Sequence, residues 1–336
     1  MANGDRFRMP TGMLPVLREA GVDVEAVLER AQLPASVHDG EGEVTTAQFF
    51  AFWQAVSDIE PDPMLGIRLI HHGVKSPTPH PVHRATSTAR DFRDAILRLA
   101  RYKRLCVPEE VRMEETADTC RIRFEWFYAD RNPPAILTDR AFAFLLEMGR
   151  QGTGRRIDAA GLELTRAHHD PRGLEEEFGC RVRFGAPYDV LVLRKKDLDL
   201  PFVSQGSGAD RNLLSRLERE RQSAEKDDGY AAKVGRVLRQ RLASGRPELK
   251  TIARELRTSE RTLQRQLSRE GTNFQDLVNG TRQNLAKAYL ADPRVELSEV
   301  AFLLGFEDSN SFFRAFRSWE NSTPLEWRQG RVAAIA

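Results

Sequence analysis

The sequence predicts an α+β N-terminal domain with a small sheet, followed by an all-α C-terminal domain of two helix-turn-helix units joined by a linker helix. Three observations predict it. Strand-like alternation is mixed with helical periodicity over residues 1–205 and disappears after Tyr230. Charge is unevenly divided: residues 230–336 hold 18 Lys and Arg against 12 Asp and Glu, whereas the rest of the 336-residue chain holds 33 against 37. A weak repeat occupies the last hundred residues. Ile252-Ala253-Arg-Glu-Leu256 returns 48 positions later as Val300-Ala301-Phe-Leu-Leu304, and Leu263, Arg265 and Leu267 return 49 later as Phe312, Arg314 and Phe316. Two copies of one supersecondary unit satisfy that pattern.

Composition excludes several classes. With 30% charged and 40% hydrophobic residues, the chain is neither a charge-swollen disordered polymer nor a membrane protein. No stretch approaches the ~18 apolar residues of a spanning helix, and the first twenty residues lack the apolar centre of a signal peptide. The expected location is the cytoplasm. Cys106, Cys120 and Cys180 are dispersed and form no CxxC pair, so reduced thiols are expected rather than a disulfide framework or a zinc site.

Along the chain, residues 11–70 read as short helices separated by Pro and Gly. Thr45 or Thr46 can cap a helix whose Phe49, Phe52, Trp53 and Val56 share one face, and Asp91 precedes a similar run through Phe92, Ile96, Leu99 and Tyr102. The period then becomes two. Cys120, Ile122, Phe124 and Trp126 alternate with Arg121, Arg123 and Glu125, as in a half-buried strand that Thr116-Ala-Asp118 can turn back onto Val111–Met113. Pro133-Pro134 opens a helix through Phe142, Leu145 and Leu146. Strand character resumes at 161–164, 182–184 and 189–193, with Asp170-Pro171 and Gly179 bounding a helix between them. The polar run Val203–Ala209 precedes a helix over 210–223. A linker is expected at 223–229, dividing domain 1–222 from domain 230–336.

Each repeated unit, about 249–271 and 297–319, reads as helix, break, helix. Ser259 can cap the second helix of the first unit, and Asp308 or Ser309 that of the second. In such a layout the second helix can enter the major groove of DNA. Arg261, Thr262, Gln264 and Arg265 point away from the Leu263/Leu267 core face. The matching positions are Ser309, Asn310, Phe313 and Arg314, and Arg317 completes the candidate DNA-binding set. Arginine can pair bidentately with guanine, and glutamine or asparagine with adenine. Phe274–Leu290 reads as a connecting helix of about 26 Å at ~1.5 Å per residue, which with the helix radii places the two reading helices about one DNA turn, ~34 Å, apart.

Here the chain resembles the AraC/XylS family of transcriptional regulators. The resemblance rests on Ser259–Arg265 with Glu270-Gly271-Thr272, on Arg282–Leu290, on Val300–Arg317 and on Ser322-Thr-Pro324-Leu-Glu-Trp-Arg328. Asn321 stands where the family usually has glycine. Residues Gly21–Pro34, Asp62–Leu69 and Phe178–Pro187 resemble the arabinose-binding-like N-terminal domain of one branch of that family. The resemblance implies effector sensing or dimerisation by the N-terminal domain. Expected partners are double-stranded DNA, a small-molecule effector, RNA polymerase and a second copy of the chain, with no membrane.

The sequence assigns no catalytic residue, no cofactor and no effector-binding residue. There is no GxSxG, Walker or HExxH motif and no cysteine cluster, and an enzyme is not expected. His71, His72, His80 and His83 fall within 13 residues, but the prolines around Ser76–Arg84 favour a solvent-exposed loop or pocket rim over metal binding. The residues leave open whether the N-terminal domain senses a ligand or only dimerises or meets a protein partner. They also leave open whether the Leu213/Leu214/Leu217 stripe faces a partner helix or its own domain.

Overall fold

The computed structural model describes residues 5–333 apart from 11, 39–41, 74–79, 130, 204–209, 228, 243–246 and 291–294. Much of the expected Ser76–Arg84 loop and of the polar run to Ala209 therefore lies outside the described residues. The N-terminal part opens with β1 (Phe7–Arg8), α1 (Met13–Glu19), α2 (Val24–Arg30) and α3 (Ala35–His38), then β2 (Glu43–Val44), α4 (Thr46–Ile59) and α5 (Leu65–Gly73). Thr45 and Gln48 cap α4 reciprocally: Gln48 N–H donates to Thr45 Oγ1 at 3.2 Å and Thr45 N–H donates to Gln48 Oε1 at 3.0 Å. The β1–β2 pair is absent from the sequence reading because strands of two residues have no period to detect.

Next come α6 (Pro81–Ser87), α7 (Phe92–Tyr102), a 3-10 turn (Lys103–Leu105), β3 (Glu109–Glu115), β4 (Thr119–Trp126) and α8 (Ala135–Thr153). They are followed by β5 (Gly161–Glu163), α9 (Arg172–Phe178), β6 (Val182–Arg183), β7 (Val190–Arg194) and α10 (Lys195–Leu198). The sheet order is β3-β4-β7-β5-β6. The expected hairpin forms in the register Val111 opposite Phe124 and Glu115 opposite Cys120. Cys120, Ile122, Leu191, Leu193 and Leu162 turn inward onto α7 and α8. The outer face is a charge ladder in which Arg121 forks onto Glu163 at 2.9 Å twice and Arg112 donates to Glu125 at 3.2 Å.

Two apolar cores fill this part. One joins the sheet to α6, α7 and the later turns of α8; the other joins α1, α2 and α4 to Leu65, Leu69, Ile136 and Leu137. Helix α8 belongs to both, Leu137 to one and Phe142 to the other, and the residues between them form the seam.

Helix α11 (Asp210–Asp227) runs into the expected linker and decides between the two readings of the leucine stripe. The linker placed at 223–229 is helical through Asp227: Ser223–Asp227 contains no helix breaker, and Gly229 supplies the break. Leu217 is buried and Leu213 and Leu214 pack on the sheet-side core, so the stripe faces its own domain and is not a free dimer surface. Glu218 fixes the contact by accepting from Arg101 at 2.9 Å. Leu217→Glu should therefore place a carboxylate in an apolar core, at a cost of about 3 kcal/mol or more, and release α11. Limited proteolysis should show earlier cleavage within 210–227. An unchanged melting curve with a dimer-to-monomer shift in sedimentation would restore the intermolecular role.

The C-terminal part is helical: α12 (Tyr230–Arg241), α13 (Leu249–Glu255), α14 (Glu260–Arg269), α15 (Phe274–Leu290), α16 (Leu297–Leu303), α17 (Ser309–Glu320) and α18 (Pro324–Ala333). It has two separate cores. Val234, Leu238, Ile252, Leu263, Leu267 and Val278 form the first; Ala286, Leu290, Val300, Leu304, Phe312 and Phe316 form the second. Helix α15 gives one end to each.

Candidate nucleic-acid interface

In each unit the break is a left-handed turn. Arg257 has φ +51° and Gly305, 48 positions later, has φ +67°. The hydrogen bonds repeat at the same offset. Arg257 N–H donates to Arg254 O at 3.0 Å and Thr258 N–H to Ala253 O at 2.9 Å, while Gly305 N–H donates to Phe302 O at 2.9 Å and Phe306 N–H to Ala301 O at 3.0 Å. The sequence repeat is thus a repeat of backbone geometry, which sets α14 against α13 as α17 is set against α16.

Capping fixes where each second helix begins. Ser259 Oγ accepts from Thr262 N–H at 3.2 Å, and Asp308 accepts from Ser311 N–H at 2.8 Å; the cap of α17 is Asp308, with Ser309 its first residue. Both helices end in left-handed backbone close by, at Gly271 and at Asn321, whose φ of +54° asparagine tolerates.

The expected site residues divide by exposure. Arg261, Gln264 and Arg265 stand exposed on α14, and Asn310, Arg314 and Arg317 on α17. The side chains of Arg261, Gln264 and Arg265 hydrogen-bond to none of the described residues. Thr262 is half-buried, its hydroxyl accepting from Ser259 Oγ at 2.9 Å, and Ser309 is half-buried at the helix start. Phe313 packs on the second core with its ring 5.7 Å from that of Phe312, because the apolar stripe of α17 is one residue wider than that of α14.

Several contacts tie the units together. Arg282 on α15 is buried, donating to Leu304 O at 2.9 Å and to Gly305 O at 2.7 Å, with its guanidinium 4.2 Å from the Phe306 ring centre. It therefore grips the turn of the second unit. Glu320 joins α17 to α15 by accepting from Gln283 at 2.7 Å and pairing with Lys287 at 2.8 Å. Glu270 accepts from the N–H groups of Tyr230 and Ala231 at 2.7 and 2.9 Å and so caps α12.

Comparison with known proteins bears on this arrangement. Residues 21–202 match the model described as the arabinose-binding domain of AraC transcription regulator, N-term, and residues 252–330 match a helix-turn-helix domain. The chain belongs to the AraC family of transcription regulators. This AraC-family chain is 26% identical over 331 residues to the HTH-type transcriptional regulator VirS of Mycobacterium tuberculosis, spanning 94% of each. It is 34% identical over 158 residues to the ornithine utilization regulator of Pseudomonas aeruginosa, a match covering 47% of this chain and only 46% of that protein. The crystal structure of the transcriptional regulator CdpR from Pseudomonas aeruginosa aligns over 95% of this chain and 96% of that one, at 21% identity and a TM-score of 0.44. The AraC-family chain is accordingly a DNA-binding transcriptional regulator with an arabinose-binding-like N-terminal domain. Among its described residues no helix is long and apolar enough to cross a membrane.

The N-terminal seam of this AraC-family regulator holds polar groups that the sequence reading missed. Lys103 pairs with the buried Glu109 at 3.1 Å, His83 lies on α6 with its ring 4.5 Å from that of Phe144, and the Arg140 guanidinium is 5.3 Å from the Trp53 ring centre. Of the two expectations for the histidine segment, an exposed loop or a pocket rim, the loop fails for His83, because Pro81 starts a helix at its first turn instead of preventing one. Arg140 had one signal: it shares a helix face with Leu137 and Phe144, where an apolar residue is the rule.

Burial, with help from Lys103, His80 and Arg140, pushes the His83 imidazole down to about 3 from its ordinary 6.5. The unfolded chain then takes up the proton first as pH falls. The stability contribution is full above pH 6.5 and is lost on acidification toward pH 3. Between pH 6.5 and 5 the loss through His83 alone should be about 2 kcal/mol. Urea midpoints of wild type and His83→Gln across that range check this, and parallel pH slopes would contradict it.

Proposed function

We propose that the regulator reads two successive major-groove segments of one operator, α14 in the first and α17 in the second. Arg261, Gln264 and Arg265 would contact base edges or phosphates in the first segment, and Asn310, Arg314 and Arg317 in the second. Thr262, Ser309 and Phe313 would shape the helix starts and the apolar contact surface. The observation that carries this reading is the repeated turn geometry, which gives both units the same relation between first and second helix while leaving their polar outer faces exposed. The expected domains are 1–222 and 230–336, with the end of α11 and the break at Gly229 between them. The N-terminal domain responds to a small molecule, and α11, docked on α6 and α7 and leading to Gly229, is the route by which that response reaches DNA. A second copy of the chain and RNA polymerase are the protein partners this reading expects, the dimer contact using a surface other than Leu213, Leu214 and Leu217. The reading assigns the chain no catalytic step.

The test is selection of genomic fragments by the full chain, followed by the same selection with residues 230–336 alone. Enrichment of one operator by both supports the assignment of DNA reading to the C-terminal domain. A folded 230–336 fragment that retains no sequence preference would overturn it.

A further inference from the structure

The N-terminal seam holds a positive charge, Arg140, that forms no ion pair among the described residues. Arg140 forms no hydrogen bond or ion pair with any of the described residues; it has only the Trp53 ring beneath it and Glu109 within electrostatic reach. Burial pushes its pKa down to about 10. Glu109 is committed to Lys103 at 3.1 Å, and burial raises the Glu109 carboxyl. His83 is held neutral, and desolvation lowers His80 as well. Two fixed cations thus face one carboxylate. The indole Nε1 of Trp53, in the same seam, is buried without an acceptor. A buried charge is retained at a cost of several kcal/mol unless an opposite charge meets it.

The seam is also open to the outside. His83, Lys103, Cys106, Arg140 and Phe144 keep part of their surface accessible, and His80, whose Nδ1 is 3.5 Å from Cys106 Sγ, stands exposed at its edge. A cleft of about 1710 Å³ runs past β4 and Tyr188; on its wall Arg123 pairs with Glu125 at 3.1 Å and Glu114 at 3.4 Å and lies 4.7 Å from the Tyr188 ring centre. Arg140 in the seam has no such ion pair among the described residues; it has the Trp53 ring instead.

We propose that the seam between α6, the 3-10 turn and α8 binds a small monocarboxylate, with Arg140 as its principal partner and His83 and Lys103 beside it. This rests on the effector-sensing reading and names its site and ligand class. The guanidinium offers a planar fork that matches a carboxylate, and one net positive charge suits a monoanion. Phe144 presents an apolar wall for the ligand body. The site touches the machinery of the response, since α11 packs on α6 and on the same 3-10 turn, and Glu220 of α11 acts electrostatically on His80.

The test uses the full chain and its thermal unfolding with benzoate, phenylacetate and hexanoate, against benzamide, phenylacetamide and hexanamide, and against inorganic phosphate. At least one carboxylate should raise Tm saturably while its amide does not. Arg140→Gln should weaken that binding roughly tenfold or more and, with the unpaired cation gone, should melt without ligand no lower than wild type. If Arg140→Gln does not fold, Arg140→Lys, which keeps the charge and loses the fork, must bind more weakly by a clear margin. No carboxylate-specific shift, a shift given only by phosphate, or equal binding by wild type and the Arg140 variant would overturn the proposal. DNA affinity separates the two readings. A carboxylate that binds through Arg140 without altering operator affinity keeps the site and removes the sensing role. A ligand that alters operator affinity equally in wild type and Arg140→Gln does the reverse.

Discussion

Arg282→Met is expected to destabilise the second DNA-reading unit by about 3 kcal/mol or more. The side chain donates two charge-assisted hydrogen bonds, to Leu304 O at 2.9 Å and Gly305 O at 2.7 Å, each of a kind that contributes ~1.5–3 kcal/mol. Methionine fills much of the same volume but leaves both carbonyls without that donor and removes the guanidinium from the Phe306 ring. The left-handed turn at Gly305 then loses its anchor on α15, and α17 loses its fixed angle to the connecting helix. Operator binding should fall with stability. Arg282→Lys should recover little, since an ammonium cannot fork across two carbonyls while stacking on a ring. Urea unfolding followed by Trp319 and Trp327 fluorescence checks the cost. A variant as stable as wild type would show that core packing alone holds the turn.

The second large effect is on recognition. Arg265→Ala and Arg314→Ala are each expected to weaken operator binding by about 1–3 kcal/mol, the range for a bidentate base contact, while binding to scrambled DNA changes much less. Arg265 is free of protein partners among the described residues. Among the described residues Arg314 makes one side-chain hydrogen bond, 3.3 Å to Ser311 Oγ, and acts electrostatically on the cap Asp308, so neither substitution should unfold the domain. The double variant should lose approximately the sum, because the arginines sit on separate units. If both instead contact phosphate, affinity for all sequences should fall alike and the salt slope should shrink by about one per arginine.

The parts of the fold legible in the sequence are those written in local patterns. Alternation over Cys120–Trp126 marks β4; Asp91 and Ser259 mark two helix starts outright, and the pairs Thr45/Thr46 and Asp308/Ser309 mark two more to within one residue, the caps being Thr45 and Asp308. The 48-residue repeat foreshadowed two turns whose hydrogen bonds coincide at that same offset. Where tertiary contacts decide, the sequence was silent or misleading. Leu213, Leu214 and Leu217 form a narrow stripe compatible with either an intermolecular or an internal partner, and only the packing of α11 chose the internal one. The prolines around Ser76–Arg84 favour a loop or pocket rim for His83, whereas Pro81 occupies the one helical turn that favours it and His83 lies on that helix. The seam of Arg140, Glu109, Lys103 and His83 draws its members from α8, β3, the 3-10 turn and α6, far apart in sequence. The candidate DNA-contact residues were legible because they lie on single helices whose apolar faces fix which way the others point.

On the proposed reading, one chain lays two equivalent helices into consecutive major-groove segments. Methylation interference on the selected operator, with protein held below the concentration at which copies associate, tests it directly. Two guanine or adenine clusters per bound chain are expected, one DNA turn apart (about 10 base pairs) on the same face, the first lost in Arg265→Ala and the second in Arg314→Ala. A single cluster per chain, abolished by either substitution alone, would contradict it.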